Sequence, residues 1–171
     1  MNASSAAADF GEGNLVVLRV GTGSAALSSA ATEAFLDEYT PAGALVRTVA
    51  LPTTGTGANR RLTVSGSATT EGALARSADG RYLTLGGYDA DPGTASVAGT
   101  AAATTARVVA RVDGAGVVDT STALTDAYSG GNIRGAVTDD GSRFWTVGSA
   151  GGCASPRPVP RPPRRSTARH R

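Results

Sequence analysis

Two short patterns recur in alternation along this chain, and a chain built by recurrence has few folds open to it. Tyr39-Thr-Pro-Ala-Gly-Ala-Leu-Val-Arg-Thr-Val-Ala-Leu51 lies on Val112-Asp-Gly-Ala-Gly-Val-Val-Asp-Thr-Ser-Thr-Ala-Leu124 at an offset of 73 residues. Ala42-Gly43 then meets Ala115-Gly116, and Ala50-Leu51 meets Ala123-Leu124. The second pattern is Ala78-Asp-Gly-Arg-Tyr-Leu-Thr-Leu-Gly86, which returns as Asp139-Asp-Gly-Ser-Arg-Phe-Trp-Thr-Val-Gly148 at an offset of 61, or 62 after one inserted residue. Recurrence in fixed order points to a repeat architecture.

Each pattern reads as a hairpin. Arg107–Val112 alternates, with Val108, Ala110 and Val112 on one face and Arg107, Val109 and Arg111 on the other, the period of a strand. Asp113-Gly114 and Gly116 supply a turn, as Pro41 and Gly43 do in the first copy. The second pattern is an Asp-Gly turn between apolar runs. It is preceded by small-residue strands, Gly72–Ala75 and Ile133–Val137, which suit crowded backbone near an axis. Two hairpins per copy make four strands, the unit of a propeller blade. The expected fold is therefore all-β, with antiparallel four-stranded blades forming an incomplete β-propeller of about two blades. The complete copy is 72–124. Leu15–Val20, Ala34–Tyr39 and Ala44–Leu51 form a partial copy before it, and another begins at Ile133. The connectors 21–33 and 89–105 read as surface loops, and no helix is expected.

Composition excludes much chemistry. The chain has no Lys, and its one His (His170) and one Cys (Cys153) both fall near the C-terminus. That removes Ser-His-Asp and Cys-His nucleophile pairs, Schiff-base and phosphate-binding lysines, and His/Cys zinc or copper sites from the body. No cofactor is expected. A single Cys forms no internal disulfide. The nineteen residues 153–171 carry six Arg and no acid, leaving the rest with ten Arg against fourteen acids, a net charge of −4. The body thus lacks a basic stripe for nucleic acid. No apolar run reaches membrane-spanning length, and Met1–Asp9 shows no signal peptide.

The residues left for chemistry are carboxylates, Arg, Tyr and hydroxyls. Asp89 and Asp91, in Asp89-Ala-Asp-Pro-Gly93, offer two carboxylates to calcium, fewer than its six to eight oxygens require; an Asp/Pro/Gly turn is the simpler reading. Asp139-Asp140-Gly141 reads as a hairpin turn. Gly21-Thr-Gly23 and Gly55-Thr-Gly57 complete no phosphate-binding motif. Asp37 and Glu38 fall on opposite faces of one strand and so make a poor acid/base pair. Phe144 and Trp145 also point to opposite faces, one into a core and the other, Trp145, available for packing or for stacking on a ligand. No catalytic residue is assigned.

The stretches Gly13–Gly21, Phe35–Gly43, Arg76–Leu83 and Asn132–Val137 resemble the N-terminal part of uncharacterised secreted bacterial β-propeller proteins, over about residues 10–151. The resemblance implies a longer ring-closing parent and an extracellular or cell-surface location, and it brings no catalytic motif. Residues 1–12 are expected to be flexible, 13–150 to form the partial propeller in copies of about 13–88 and 89–150, and 151–171 to be a disordered Pro/Arg tail. That tail is either a basic segment for an anionic polymer or an out-of-frame end. The function expected is a non-catalytic scaffold or recognition module from a longer exported protein, with open strand edges that drive self-association. The alternative is a hydrolase or lyase using carboxylates and Arg at the channel mouth.

Overall fold

The computed structural model describes residues 9–150 and the backbone of 153–158. The expectations for residues 1–8, 151–152 and 159–171, His170 included, lie outside the described residues. In chain order the strands are β1 (Leu15–Val20), β2 (Ala31–Thr32), β3 (Ala34–Tyr39), β4 (Leu45–Ala50), β5 (Val64–Ser65), β6 (Ala75–Arg76), β7 (Tyr82–Tyr88), β8 (Arg107–Asp113), β9 (Val118–Leu124), β10 (Ile133–Val137), β11 (Arg143–Gly148) and β12 (Cys153–Pro158). Among the described residues there is no α-helix, only a 3-10 turn at Val97–Gly99.

The strands form antiparallel sheets from neighbours in sequence. The first sheet runs β1-β3-β4, the second β6-β7-β8-β9, the third β10-β11-β12, and β2 pairs with β5. None of these sheets closes on itself. The Asp-Gly turns lie where the sequence puts them, with Gly80 and Gly141 at φ 76° and 81°, the left-handed region that glycine enters without penalty.

The three larger sheets stack face to face. Ala34 and Leu36 of β3 pack on Leu85 of β7 and on Val108, Ala110 and Val112 of β8. On the opposite face of β8, Val109 meets Ala136 of β10 and Phe144 of β11. Alternation along β8 thus sends each set of side chains into a different core, and β8 is buried on both faces. Apolar burial of this kind supplies about 25 cal/mol per Å².

One expectation needs correction. The connectors are more than surface loops. Ala31 and Val97, from 21–33 and 89–105, are buried in a third cluster with Tyr88, Leu124, Tyr128 and Ile133. Small residues allow the close approach: a Cβ at Gly66 would stand 2.9 Å from the Ser28 carbonyl oxygen. The segment 51–66 also belongs to the core through Leu62 and Val64. It fits because Gly87 has no side chain: a Cβ there would stand 2.7 Å from the Thr63 carbonyl oxygen. Thr63 and Tyr88 exchange backbone hydrogen bonds across this contact.

Of the Pro/Arg segment 151–171, only the backbone of Cys153–Pro158 is described, and it pairs antiparallel with β11, with a register shift between Phe144 and Thr146. β12 is an edge strand. Pro156 and Pro158 have no backbone N–H to give to the ladder, which an edge strand tolerates.

Candidate functional site

A cavity of about 890 Å³ opens between the first two sheets. One wall is the lead-in 9–14. Phe10 N donates to Gly114 O at 2.7 Å, while Gly11 N and Asn14 Nδ2 both donate to Glu38 Oε1 at 2.6 Å. Arg47 Nε meets Glu38 Oε2 at 2.8 Å, its guanidinium covers the Phe10 ring at 4.1 Å, and it also donates to the carbonyls of Gly114 and Ala115. Glu38 is 1 % exposed. Burial works against its ionisation, but the bonds from Asn14, Gly11 and Arg47 outweigh it and hold the carboxyl below its ordinary pKa. A buried carboxylate therefore anchors this wall.

The other wall comes from the second sheet. Arg76 Nε donates to Gly80 O at 3.1 Å and, among the described residues, meets no carboxylate. Arg81 pairs with Asp79 at 2.7 Å and lies 5.3 Å from the Tyr82 ring centroid. Bonds from Ser77 and Arg81 lower the Asp79 pKa to about 2. Asp9, Glu12 and Asp113 line the same cavity as Arg76, Arg81 and Tyr82. Asp9 and Glu12 are exposed, and Asp113 Oδ1 accepts from Val117 N at 2.9 Å. The cleft thus has acids on its lead-in and hairpin side and arginines on the strand side, an arrangement suited to a ligand carrying both charges or many hydroxyls.

The sequence-derived candidates are scattered. Asp89 accepts from Arg60 at 3.1 Å and from Arg61 at 2.8 Å, and Asp91 pairs with Arg61 at 2.8 Å. Guanidinium groups occupy the oxygens that calcium would need. Among the described residues no three His, Cys, Asp or Glu side chains gather as a metal site. Asp37 and Glu38 do face opposite ways. Asp37 binds Arg19 at 2.6 Å and Thr48 Oγ1 at 2.6 Å, and the Arg19 bond leads the causes that lower its pKa. Phe144 is 2 % exposed in the core, whereas Trp145 is 38 % exposed on the other face, with the Arg143 guanidinium 5.7 Å from its ring.

Sequence reasoning missed the polar groups that fix the loops. Arg107 is fully buried and donates to the carbonyls of Thr105, Ala98, Thr100 and Gly131, each at 2.9 Å. Its Nε has no partner among the described residues, and desolvation lowers its pKa. Glu71 accepts from Tyr88 Oη, Asn132 Nδ2 and Ser65 N. Burial, then the Glu71 bond, push the Tyr88 hydroxyl pKa upward. The available signal was an Arg opening a strand whose next three residues, Val108, Val109 and Ala110, are all apolar. No family model matches the chain, and no curated protein or solved structure does either. No described helix is long and apolar enough to cross a membrane.

Proposed function

We propose that the chain is a stretch of an exported β-propeller, about two blades and part of a longer protein, serving as a non-catalytic scaffold or recognition module. Supporting the blade reading, the second sheet is four-stranded and its strands follow chain order across the sheet, as a propeller blade requires. The flanking sheets stack on its two faces. Export and surface location rest on the resemblance of 10–151 to secreted propeller proteins.

One observation carries the non-catalytic reading. The carboxylates buried deeply enough to have their protonation shaped by the fold, Asp37 and Glu38, are saturated by Arg, Asn, Thr and backbone donors, whereas the cleft acids Asp9 and Glu12 are exposed. General acid/base catalysis needs a carboxyl held within reach of the bond it serves. In this reading Arg76, Arg81 and Tyr82 hold a ligand that is not turned over.

The hydrolase or lyase reading keeps one supporting fact: Asp9, Glu12 and Asp113 share a cleft with two arginines. The two readings separate on one experiment. The full chain is titrated calorimetrically with a panel of neutral and charged oligosaccharides and short peptides, and each mixture is analysed for products. Binding that weakens about tenfold in Arg76→Ala, the loss of one charged contact, with no product formed, supports recognition. Product formation abolished by Asp113→Asn would replace it with the enzyme reading.

A further inference from the structure

Both ends of the sheet stack expose apolar side chains, those of the first sheet beside the Arg19–Asp37 pair. On the open face of the first sheet, Leu15 and Val17 of β1 stand 60 % and 48 % exposed, and Leu45 of β4, paired with Tyr39, is 56 % exposed. On the open face of the third sheet, Val137, Trp145 and Val147 are also exposed. These six are most of the nine large hydrophobic side chains exposed among the described residues, so exposure concentrates at the ends of the stack.

The first-sheet end carries the side chains of Leu15, Val17 and Leu45 on its surface, and the third-sheet end is hollow. Val137 pairs with Trp145, but the partner of Val147 is Gly135, which leaves the sheet surface without bulk beside the indole. Ala73 and Ala75 border the same space with single methyl groups. The result is an almost wholly apolar cavity of about 570 Å³. Arg134 and Arg143 stand at this face, Arg134 on the cavity wall and Arg143 over the indole.

Inside the chain, sheet faces of this kind cover one another, and the same device recurs at each junction. Arg47 of the first sheet reaches the carbonyls of Gly114 and Ala115 in the second, and Arg111 of the second reaches the Gly141 carbonyl at 2.7 Å in the third. The third sheet again presents arginines on its open side. At the other end, the β3–β4 turn offers the Pro41 and Ala42 carbonyls, while its own hydrogen bonds use those of Thr40 and Ala44.

We propose that the open face of the first sheet in one copy seats in the Trp145 hollow of a second copy, Leu15 and Val17 entering the cavity, so that the stack continues from chain to chain. The contact is heterologous: an apolar patch of one molecule meets a pocket at the far side of the next. Hollow against hollow would leave the cavity unfilled, and a void with no partner atoms forfeits its contacts. The pairing rests on the sheet stack alone and is independent of any ligand in the Arg76 cleft.

The test uses the full chain and its variants Val17→Asp and Trp145→Asp, each placing a charge on an exposed site of one end. Sedimentation velocity is run from about 1 to 100 µM, the range in which exposed apolar surface drives association. The wild type should show species of at least twice its 16.9 kDa mass. Each variant alone should be a monomer, its association weakened at least about tenfold, as loss of a buried anchor produces. An equimolar mixture of the two should recover a one-to-one dimer, because one variant keeps the hollow and the other keeps the first-sheet face. Recovery also shows that both variants are folded. A monomeric wild type, a variant that still self-associates, or a mixture that stays monomeric would each overturn the proposal.

Discussion

The second sheet and the two that flank it are built from the same kind of strand, yet they meet different surroundings. β8 sends Val108, Ala110 and Val112 into one core and Val109 into another, and its Arg107 is sealed among four backbone carbonyls. The first sheet sends Leu36 and Ala34 inward while Leu15 and Val17 remain outside. The third does the same with Phe144 and Trp145. Strand alternation is therefore equally present in all three, and what differs is whether a second sheet lies on the other face. Position in the stack, more than strand composition, decides what each residue contributes.

The sharpest way to break this comparison lies within a single sheet. Leu36→Ala should cost about 3 kcal/mol, within the range for an aliphatic side chain removed from a packed core. Val17→Ala, on the same sheet's open face, should change stability by no more than about 0.5 kcal/mol. Urea unfolding measured below the concentration of any association tests both, and equal effects would remove the distinction between covered and open faces.

Arg107→Met asks whether the centre relies on polar ties as well as apolar contact. The variant keeps most of the side-chain length but leaves four buried carbonyls without their donor, and about 2 kcal/mol of destabilisation is expected, on the scale of unsatisfied buried acceptors. Hydrogen exchange should accelerate first in 97–105 and around Gly131, the segments those carbonyls belong to. A loss spread evenly over β7–β9 would mean that Arg107 serves the sheet and not its loops.

A smaller effect than that of Arg107→Met belongs to the Asp37–Arg19 pair on the open face. Because the fold lowers the Asp37 pKa, its contribution is complete above the unfolded carboxylate value near 4 and fades as pH falls through the lower folded value. Asp37→Asn should be less stable than wild type by about 1 kcal/mol or less at pH 6, as a partly exposed pair allows, and the two should converge below about pH 4. A gap that persists at lower pH would point to packing in place of charge.

Much of the fold was legible. Period-two alternation at 107–112, the Asp-Gly turns and the strands at 15–20 and 34–39 stand where the residues place them, because both strand period and turn chemistry are local. What was not legible depends on distance. Val97 and Leu62 reach the core through stretches of Gly, Ala, Ser and Thr that carry no periodic signal, and Glu38 became the anchor of a cleft only because the lead-in residues Gly11 and Asn14 and the β4 residue Arg47 converge on it. Among the candidates, Asp89 and Asp91 were visible as acids, but their partners Arg60 and Arg61 lie some thirty positions upstream. The Arg76 cleft was invisible for the same reason, since its two walls are separated by more than sixty residues.

The meander order of the strands has a further consequence during synthesis. Within the larger sheets, β3–β4, β6–β7, β8–β9 and β10–β11 close through turns of four or five residues, which form quickly. Yet residues 15–50 leave the ribosome before 82–112, and the Leu36 side of that first sheet then has no lid. As chains fold from the N-terminus while they are made, the nascent first sheet stays wet on its Leu36 side until β7 and β8 follow, and that side becomes rigid only when a later part of the same molecule arrives to cover it.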